Sequence, residues 1–430
     1  MLAATITALL LALLAIGTPV AFALALAGAA GLYAIGGFEM LAGVLGTAPL
    51  SGASSYELIT VPMFLLMAEF VIISGVADKL FEAAAAWTGR IPGGLGVATA
   101  IAGAGFGAIS GSSTAAAATL ASTSIPAMLK AGYEPRLACG AVAISGTLAM
   151  LIPPSIALVL YGIIGDVSIG KLLIGGVVPG ILVTLAISLT IMALVAVEPA
   201  RAPRGRAHSW GEKFGALLPV WPMLVLFMAV TGVIYIGVAT PTEAAAIGAL
   251  GAYVIALARG KAPPAATLKA LLRAAQTTCM IVLIIVGAQI FAYFFTVTQT
   301  TQQIAAAGAA LDVNRWVIMA AVVGVYLVLG CFMDQVAILI LTVPVALPLV
   351  QKLGFDPVWF GVLVIITAEV GMVTPPVGLN VFIVARYTRR PVAEVFRGVG
   401  PHVLAHLIVI ALLCLFPQLI LWLPESMRTP

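Results

Sequence analysis

The chain has 430 residues, of which 62% are hydrophobic and only 8% are charged, and its mean hydropathy is +1.19. Soluble domains carry about 25% charged residues, so this composition excludes a soluble globular protein and indicates a membrane protein. The net charge of +4 comes from short basic loops, so no nucleic-acid partner is expected.

Apolar stretches long enough to cross a bilayer recur along the chain, for example at 173–197, 216–238 and 276–297. A helix needs about 20 apolar residues to cross about 30 Å of hydrocarbon. Because the backbone groups of a segment in lipid must be paired internally, helices are the expected spanning element. The chain is therefore predicted to be an all-α polytopic membrane protein. The apolar segment at its start follows no Lys or Arg, which favours a retained first helix over a signal peptide.

The first half of the chain, residues 1–208, is predicted to begin with scaffold helices at 1–76. Segment 91–129 follows; it is apolar except at its centre. Its flanking residues Arg90 and Lys130 must lie on one side of the membrane if the topology is kept. These features predict a re-entrant helical hairpin with a polar tip. The tip residues are Ser110, Gly111, Ser112, Ser113 and Thr114.

The next element, 137–165, is predicted to be a broken helix, and helix 173–197 completes the half. The interruption runs from Gly146-Thr147 to Pro153-Pro154. Each proline removes an N–H donor and clashes with the preceding turn, and proline is favoured as the first residue of the next helical segment. A helix that stops and restarts leaves free carbonyls on one side and free N–H groups on the other, which suit a cation and an anion. Such backbone is tolerated in a membrane only inside protein or beside a cavity, so a polar binding site is predicted there.

The second half, residues 209–430, is predicted to repeat this order of elements. Its tip carries Asp334, and its broken helix, interrupted from Thr367 to Pro376, carries Glu369. The remaining candidate residues at this interruption are Thr374, Pro375, Pro376 and Asn380. The predicted elements are scaffold helices within 216–297, a hairpin at 316–350, the broken helix at 359–385 and a helix at 401–423.

A single offset of 222 residues relates the two halves without gaps. It takes Ser112 to Asp334, and it takes the first Pro-Pro pair to the second. It also takes Thr18-Pro19 to Thr240-Pro241. Matching break and turn residues at one fixed offset indicate a duplicated half-protein and not a short-period solenoid.

The Lys and Arg bias of the loops predicts the orientation of the halves. Loop 201–213 is the richest in basic residues and is placed in the cytoplasm, and loop 259–273 falls on the same side. Matched segments 137–165 and 359–385 then cross in opposite directions. An inverted repeat with interrupted helices is the architecture of secondary transporters, whose binding site lies between the repeats near the midplane.

Asp334 and Glu369 are predicted to lie within the membrane at these breaks. An intramembrane carboxylate is costly, by roughly 2.5–3.5 kcal/mol on insertion scales, and it usually faces a partner or water. A bound cation or a proton is the expected counter-charge. The alternative is a carboxylate that bonds to a neighbouring helix for packing alone. His402 and His406, one helical turn apart, are read as a helix-end pair near the cytoplasmic surface.

Several motifs resemble the large membrane subunit of TRAP (tripartite ATP-independent periplasmic) transporters, the DctM-like family. In the first half these are FGAISGSSTAAA (106–117), AGYEPRLACG (131–140), SGTLAMLIPPSIALVLYG (145–162) and VVPGIL (177–182). In the second half MVTPPVGLNVFIVA (372–385) looks like the second broken helix of the same family. The resemblance covers essentially the whole chain.

The resemblance implies a subunit of a transporter in the bacterial inner membrane, and not an enzyme. It implies an elevator mechanism and sodium ions as coupling ions, with no other cofactor. It also implies a small four-helix membrane subunit, a periplasmic substrate-binding protein and an organic acid as substrate. Carried onto this chain, the sodium and substrate groups are the tip and break residues named above. Sodium is placed at Ser112, Gly146, Asp334 and Thr374.

Two alternatives stay open at this point. A stand-alone sodium:dicarboxylate symporter of the same superfamily would share the inverted hairpins, but such proteins carry Ser-Asn-Thr at the tips. This chain has Ser-Ser-Thr at 112–114 and Met-Asp-Gln at 333–335, which favours the TRAP interpretation. A channel is the second alternative, although the Ala-, Val- and Leu-rich segments offer no continuous polar path. The sequence names neither the substrate nor the sodium stoichiometry.

Overall fold

The computed structural model describes residues 1–206, 208–309 and 313–427, and it describes no side chains for 77, 78, 108–110, 305 and 309. Within these ranges every regular element is a helix. Eight helices are long and apolar enough to cross a membrane, or nine if one bent pair counts as a single span. This confirms the predicted class of polytopic α-helical membrane protein. The eight are Val20–Ala53, Tyr56–Ile73, Ile169–Val197, Pro241–Ala258, Pro264–Val297, Arg315–Phe332, Gln335–Lys352 and Val392–Leu415.

The first scaffold region contains Leu2–Ala15 and the long helix Val20–Ala53. The long helix is kinked at Gly36 and Gly37, and Gly37 has a φ of +64°. Only glycine adopts such a conformation without steric cost, because it has no Cβ. The region continues with the helices Thr60–Ile73 and Val76–Thr88.

Two helices, Gly94–Ser110 and Ser113–Lys130, occupy the segment predicted as the first hairpin, and the name is kept for them. Gly111 ends the first arm with a φ of +53°. The Ser112 side chain caps the second arm, because its Oγ accepts a hydrogen bond from the N–H of Ala115 at 3.4 Å. A serine at this position satisfies one of the backbone donors that a helix start leaves free.

The first broken helix consists of Pro135–Ser145, a 3₁₀ turn at Gly146–Met150, and Ile156–Gly165. Its restart is capped by Ser155, whose Oγ accepts from the N–H of Leu158 at 3.2 Å and donates to the Met150 carbonyl. The restart residue is therefore Ile156. The predicted proline start is wrong here, because the serine cap intervenes between Pro153-Pro154 and the new helix.

Three element boundaries differ from the prediction for identifiable reasons. Segment 216–238 is not one helix but two, Trp210–Leu217 and Trp221–Tyr235, bent by 59°, because Pro219 lies between them and cannot donate an N–H. Helix Pro264–Val297 begins inside the predicted basic loop and not at 276. Segment 401–423 is also divided. Its helices are Val392–Leu415 and Gln418–Glu425, with Pro417 at the break.

The second half contains a matching pair of interrupted elements. The second hairpin consists of Arg315–Phe332 and Gln335–Lys352, and Asp334 caps its second arm. The second broken helix consists of Pro357–Gly371 and Leu379–Thr388. The nonhelical link, 372–378, is shorter than predicted, because Thr367 still lies in the helix.

Contacts between the halves occur in pairs. The 222-residue offset converts one contact of each pair into the other. The second arm of the first hairpin contacts Leu379–Thr388, and the second arm of the second hairpin contacts Ile156–Gly165. Among the scaffold helices, Val20–Ala53 packs on Pro264–Val297. The exchanged pair, Pro241–Ala258 and Thr60–Ile73, is also in contact.

Candidate functional site

Each hairpin packs closely against the broken helix of its own half through small residues. A Cβ added to Gly107 of the first hairpin would lie 2.8 Å from Cα of Ala149. A Cβ added to Gly371 would lie 2.5 Å from Cα of Gly330 in the second hairpin. Contacts this close leave no room for larger side chains. The tips are thereby held at the interruptions.

The first-half candidates lie together at the first tip and the first interruption. Gly111 is buried, and a Cβ there would lie 3.0 Å from the Ile156 side chain at the helix restart. The hydroxyls of Ser112 and Thr114 are 3.3 Å apart. The remaining buried candidates are Ser113, Gly146, Thr147, Pro153 and Pro154. The side chain of Ser110 lies outside the described residues.

Gly146 and Thr147 lie in the 3₁₀ turn that follows the first half of the broken helix. The Thr147 hydroxyl donates to the Ile144 carbonyl at 2.7 Å. A Cβ on Gly146 would lie 2.8 Å from Cβ of Ala117 on the second arm of the first hairpin. The turn and the hairpin are therefore in direct contact, with glycine required at the closest point.

A chain of hydrogen bonds joins the first hairpin to both sides of the second interruption. The Asn380 side-chain amide donates to Oγ of Ser113 at 2.7 Å, and the Ser113 hydroxyl donates to Oε2 of Glu369 at 2.9 Å. All three residues are at most 2% exposed. Glu369 precedes the link 372–378 and Asn380 follows it, so the hydroxyl bridges the break. We call Asn380, Ser113 and Glu369 the Ser113 chain.

The second hairpin donates a hydrogen bond to helix Pro357–Gly371, one turn before Glu369. Gln335 is fully buried at its tip, and its Nε2 donates to the Ile365 carbonyl at 3.3 Å. Ile365 and Glu369 are four residues apart, so they lie on one face of Pro357–Gly371. Sequence reasoning missed Gln335. The 222-residue offset contained a signal for it, since it takes Ser113 to Gln335.

Three buried oxygens at this junction have no hydrogen-bond partner among the described residues. They are Oε1 of Glu369, Oδ1 of Asn380 and Oε1 of Gln335. Within the same part of the chain, Glu369 makes no salt bridge. Buried polar atoms are normally satisfied by protein, water or an ion. The junction can therefore accept a proton donor or a cation.

Among the other second-half candidates, Asp334, Pro375 and Pro376 are more exposed than their first-half counterparts. Asp334 is exposed, and its Oδ1 accepts from the N–H groups of Val336 at 3.0 Å and Ala337 at 3.2 Å. Thr374 donates to the Val370 carbonyl at 2.7 Å. Pro375 and Pro376 are exposed in the link. The prediction that they start the new helix is wrong, because Gly378 with a φ of +63° forms the turn before Leu379.

His402 and His406 are not near a helix end, contrary to the prediction. Both are almost completely buried within helix Val392–Leu415. Nδ1 of His406 lies 3.0 Å from the His402 carbonyl. The described residues contain no cluster of three His, Cys, Asp or Glu side chains that could hold a metal ion.

A cavity of about 630 Å³ lies apart from the junction, between the scaffold loops and the end of the first broken helix. Its charged and polar lining includes Glu57, Asp166, Lys171 and Gln289. None of the predicted site residues lines it. The predicted topology places this end of the molecule outside the cytoplasm.

Residues 7–419 match the profile of a protein family described as "Tripartite ATP-independent periplasmic transporter, DctM component". Three similar proteins carry transporter names. The "C4-dicarboxylate TRAP transporter large permease protein DctM" of Pseudomonas aeruginosa is 36% identical over 86% of this chain and 86% of its own length. The "Ectoine TRAP transporter large permease protein TeaC" of Halomonas elongata is 34% identical over 97% and 98%. The "Sialic acid TRAP transporter large permease protein SiaM" of Vibrio cholerae is 32% identical over 87% and 88%.

Two solved transporter structures share the fold at low sequence identity. The YdaH transporter of Alcanivorax borkumensis superposes with a TM-score of 0.66 and 16% identity, covering 91% of this chain and 90% of the other. MtrF of Neisseria gonorrhoeae superposes with a TM-score of 0.62 and 14% identity, covering 90% and 85%. At these identities the likeness concerns the fold alone.

Proposed function

Because the chain belongs to the DctM family of tripartite ATP-independent periplasmic transporters, as its motifs indicated, we propose that it is the membrane-embedded subunit of a sodium-coupled importer of an organic acid. Like its named relatives, it is a permease subunit and not an enzyme. The substrate arrives on a periplasmic binding protein, and a small four-helix membrane subunit completes the system in the bacterial inner membrane.

One observation carries the proposed site. A buried carboxylate, Glu369, lies at a helix interruption where elements of both halves meet, and it has no cationic side chain as partner in the described part of the chain. A buried charge needs a counter-charge or a metal ion. In a membrane transporter such a residue marks an ion or substrate pathway. A coupling cation meets this requirement.

The inverted repeat and the elevator movement belong to the same proposal. The exchanged contacts between the halves support a two-fold relation, since an isologous arrangement makes each contact twice. In the elevator, the hairpins and broken helices move together against the scaffold helices. Close glycine contacts between each hairpin and its broken helix support their movement as one unit.

The sodium and substrate groups are proposed at the tips and interruptions. Sodium is held around Ser112 and Gly146 in the first half and around Asp334 and Thr374 in the second. Only Oδ1 of Asp334 accepts the capping hydrogen bonds from described residues, which leaves Oδ2 for a cation. The helix that starts at Leu379 turns the positive end of its dipole toward the link, which suits a carboxylate.

The substrate class follows from chemistry shared by the named relatives. Their names mention C4-dicarboxylates, ectoine and sialic acid, and each of these compounds carries a carboxylate. We assign the same functional group to the substrate of this chain. The binding protein selects among carboxylates before they reach the membrane.

Uptake into proteoliposomes tests this function. The vesicles contain this chain with the small subunit of its own system, the binding protein is added outside, and radiolabelled succinate, ectoine or sialic acid is supplied. We expect uptake of one of these compounds that requires both an inward sodium gradient and the binding protein. Uptake without the binding protein would favour a stand-alone symporter or a channel. Uptake that persists on ATP after the sodium gradient has collapsed would contradict secondary transport.

A further inference from the structure

The three unpartnered oxygens at the junction belong to side chains that share one arrangement. Asn380 and Gln335 each donate a hydrogen bond through the amide nitrogen to a protein acceptor, which leaves the amide oxygen free. Glu369 likewise accepts at Oε2 and leaves Oε1 free. All the unsatisfied atoms are therefore acceptors.

The three side chains belong to the second half of the chain, and a residue of the first hairpin bonds to two of them. Ser113 of the first hairpin bonds to Glu369, and Gln335 of the second hairpin bonds to the backbone of Ile365. Ile365 and Glu369 are four residues apart, which is about 6 Å along the helix axis. Asn380 reaches the same hydroxyl from the far side of the link.

The chemistry of this group favours a hard cation. Carboxylate and amide oxygens are ligands for hard cations, whereas soft metals prefer sulfur and imidazole. The carboxylate supplies one negative charge, which a monovalent cation neutralises. Leaving these acceptors empty would cost free energy, since buried polar atoms without partners are unfavourable.

We infer that Glu369, Asn380 and Gln335 of the second half supply oxygens to a sodium subsite, and that Ser113 of the first half is its positioning residue. The inference deepens the proposed function and rests on its sodium coupling. It differs from the sodium positions at Ser112, Gly146, Asp334 and Thr374, because its ligands are three other side chains, all of them buried. Since Ser113 follows Ser112 directly, the first tip and this subsite are mechanically linked.

The test measures sodium binding without transport. The purified chain in detergent is titrated with NaCl against choline chloride at constant ionic strength, and its melting temperature is followed, because a ligand that binds the native state raises it. Wild type is compared with Glu369→Gln, which keeps the shape of the side chain and removes its charge. We expect sodium binding about tenfold weaker or more in the variant.

Ser113→Ala and Ser113→Thr test the positioning role. The alanine variant removes the bridging hydroxyl and should weaken sodium binding, and threonine, which keeps a hydroxyl, should restore most of it. Ser124→Ala is the matched control. Ser124 is fully buried on the same arm of the hairpin, and its Oγ has no hydrogen-bond partner among the described residues. Its sodium titration should equal that of wild type.

Each result decides for or against the subsite. A wild-type sodium titration from Glu369→Gln overturns it, and so does an equal loss in Ser113→Ala and Ser124→Ala. If Glu369→Gln does not fold, the contrast between Ser113→Ala, Ser113→Thr and Ser124→Ala still decides. Sodium binding that depends on Glu369, in a protein whose uptake ignores the sodium gradient, would uphold the subsite and contradict the proposed coupling. If the Glu369→Gln variant binds sodium with unchanged affinity and its uptake is still driven by sodium, the subsite is contradicted and the proposed coupling is upheld.

Discussion

At the scale of single residues, the Glu369 carboxylate is buried in the second half and accepts a hydrogen bond from the Ser113 hydroxyl of the first half. Glu369 was predicted as a site residue from its position in a helix interruption, because an intramembrane carboxylate is costly and usually has a functional partner. Its hydrogen-bond partner Ser113 is 256 positions away, and no local pattern specifies a contact over that distance. Gln335 was missed because its amide side chain carries no charge. The 222-residue offset nevertheless makes it the equivalent of Ser113 in the second half.

Asp334 is the residue whose two roles can be separated by substitution. Its carboxylate caps a helix, and replacing a cap by alanine costs about 1 kcal/mol. We expect Asp334→Asn to keep the cap and the melting temperature while apparent sodium affinity in proteoliposomes falls about tenfold. Asp334→Ala should lose both stability and affinity.

Sodium-dependent uptake by Asp334→Asn, measured beside wild type at several sodium concentrations, is the decisive comparison. An unchanged sodium dependence would remove the Asp334 carboxylate from the transport site. The residue would then serve only as the cap of Gln335–Lys352.

At the scale of elements, the interruptions lie where they were predicted, but the predicted proline start of each new helix is wrong. The reason is that a cap or a left-handed turn decides where a helix starts. Ser155 supplies the cap in the first half, and Gly378 supplies the turn in the second. The Pro-Pro pair marks the break without setting the restart.

The two Pro-Pro pairs differ in burial, and this makes the second pair suitable for mutation. Pro375 and Pro376 are exposed, so replacing both with alanine removes little packing. Alanine is also the better helix former by about 3 kcal/mol per residue in a helix interior. We expect Pro375→Ala with Pro376→Ala to insert into the membrane, to bind the soluble receptor and to lose transport.

Membrane insertion, receptor binding and uptake are measured on the same preparation of this double variant. If a stabilised background restores transport with its sodium coupling, the prolines serve packing alone. The assignment of link 372–378 to the site would then be wrong.

A second prediction at this scale concerns the crossing of helices Pro135–Ser145 and Val392–Leu415. A Cβ on Gly398 would lie 2.1 Å from the Arg136 carbonyl oxygen, whereas a Cβ on Gly400 would meet no atom within 4 Å. Overpacking costs about 1–3 kcal/mol, so Gly398→Ala should lower the melting temperature in detergent. Gly400→Ala, in the same helix, should keep or raise it, since alanine favours a helix.

Equal melting temperatures for the two glycine variants would mean that the helices do not cross at Gly398. The comparison uses identical detergent, lipid and sodium concentrations. It therefore reports the crossing itself and not a general effect of losing a glycine.

At the scale of the whole molecule, the repeat and the charge pattern predict two inverted halves, and this organisation stays a prediction. Both signals are global: one compares distant segments, and the other compares loops on two sides of a membrane. The lengths of individual helices were predicted less well. Lys269 and Arg273 were read as loop residues, for example, although they lie in helix Pro264–Val297.

The predicted orientation can be measured directly. In a variant without its four native cysteines, Arg206→Cys is expected to react with a membrane-impermeant thiol reagent only in inside-out vesicles, because basic loops stay in the cytoplasm. Asp166→Cys is expected to react only in right-side-out vesicles. Labelling of both positions from one side would contradict the assigned topology and, with it, the inverted repeat.

Helix Pro264–Val297 has a consequence for the lipid around the protein. Its 34 residues give a rod of about 51 Å, whereas the hydrocarbon layer measures about 30 Å. The rod must therefore incline or project into water at its basic end. Thicker bilayers would hold it more upright, and thinner ones would tilt it further, each at a modest elastic cost. We expect acyl-chain length to set the resting tilt of the scaffold and, through it, the rate at which the hairpins and broken helices move in the proposed elevator.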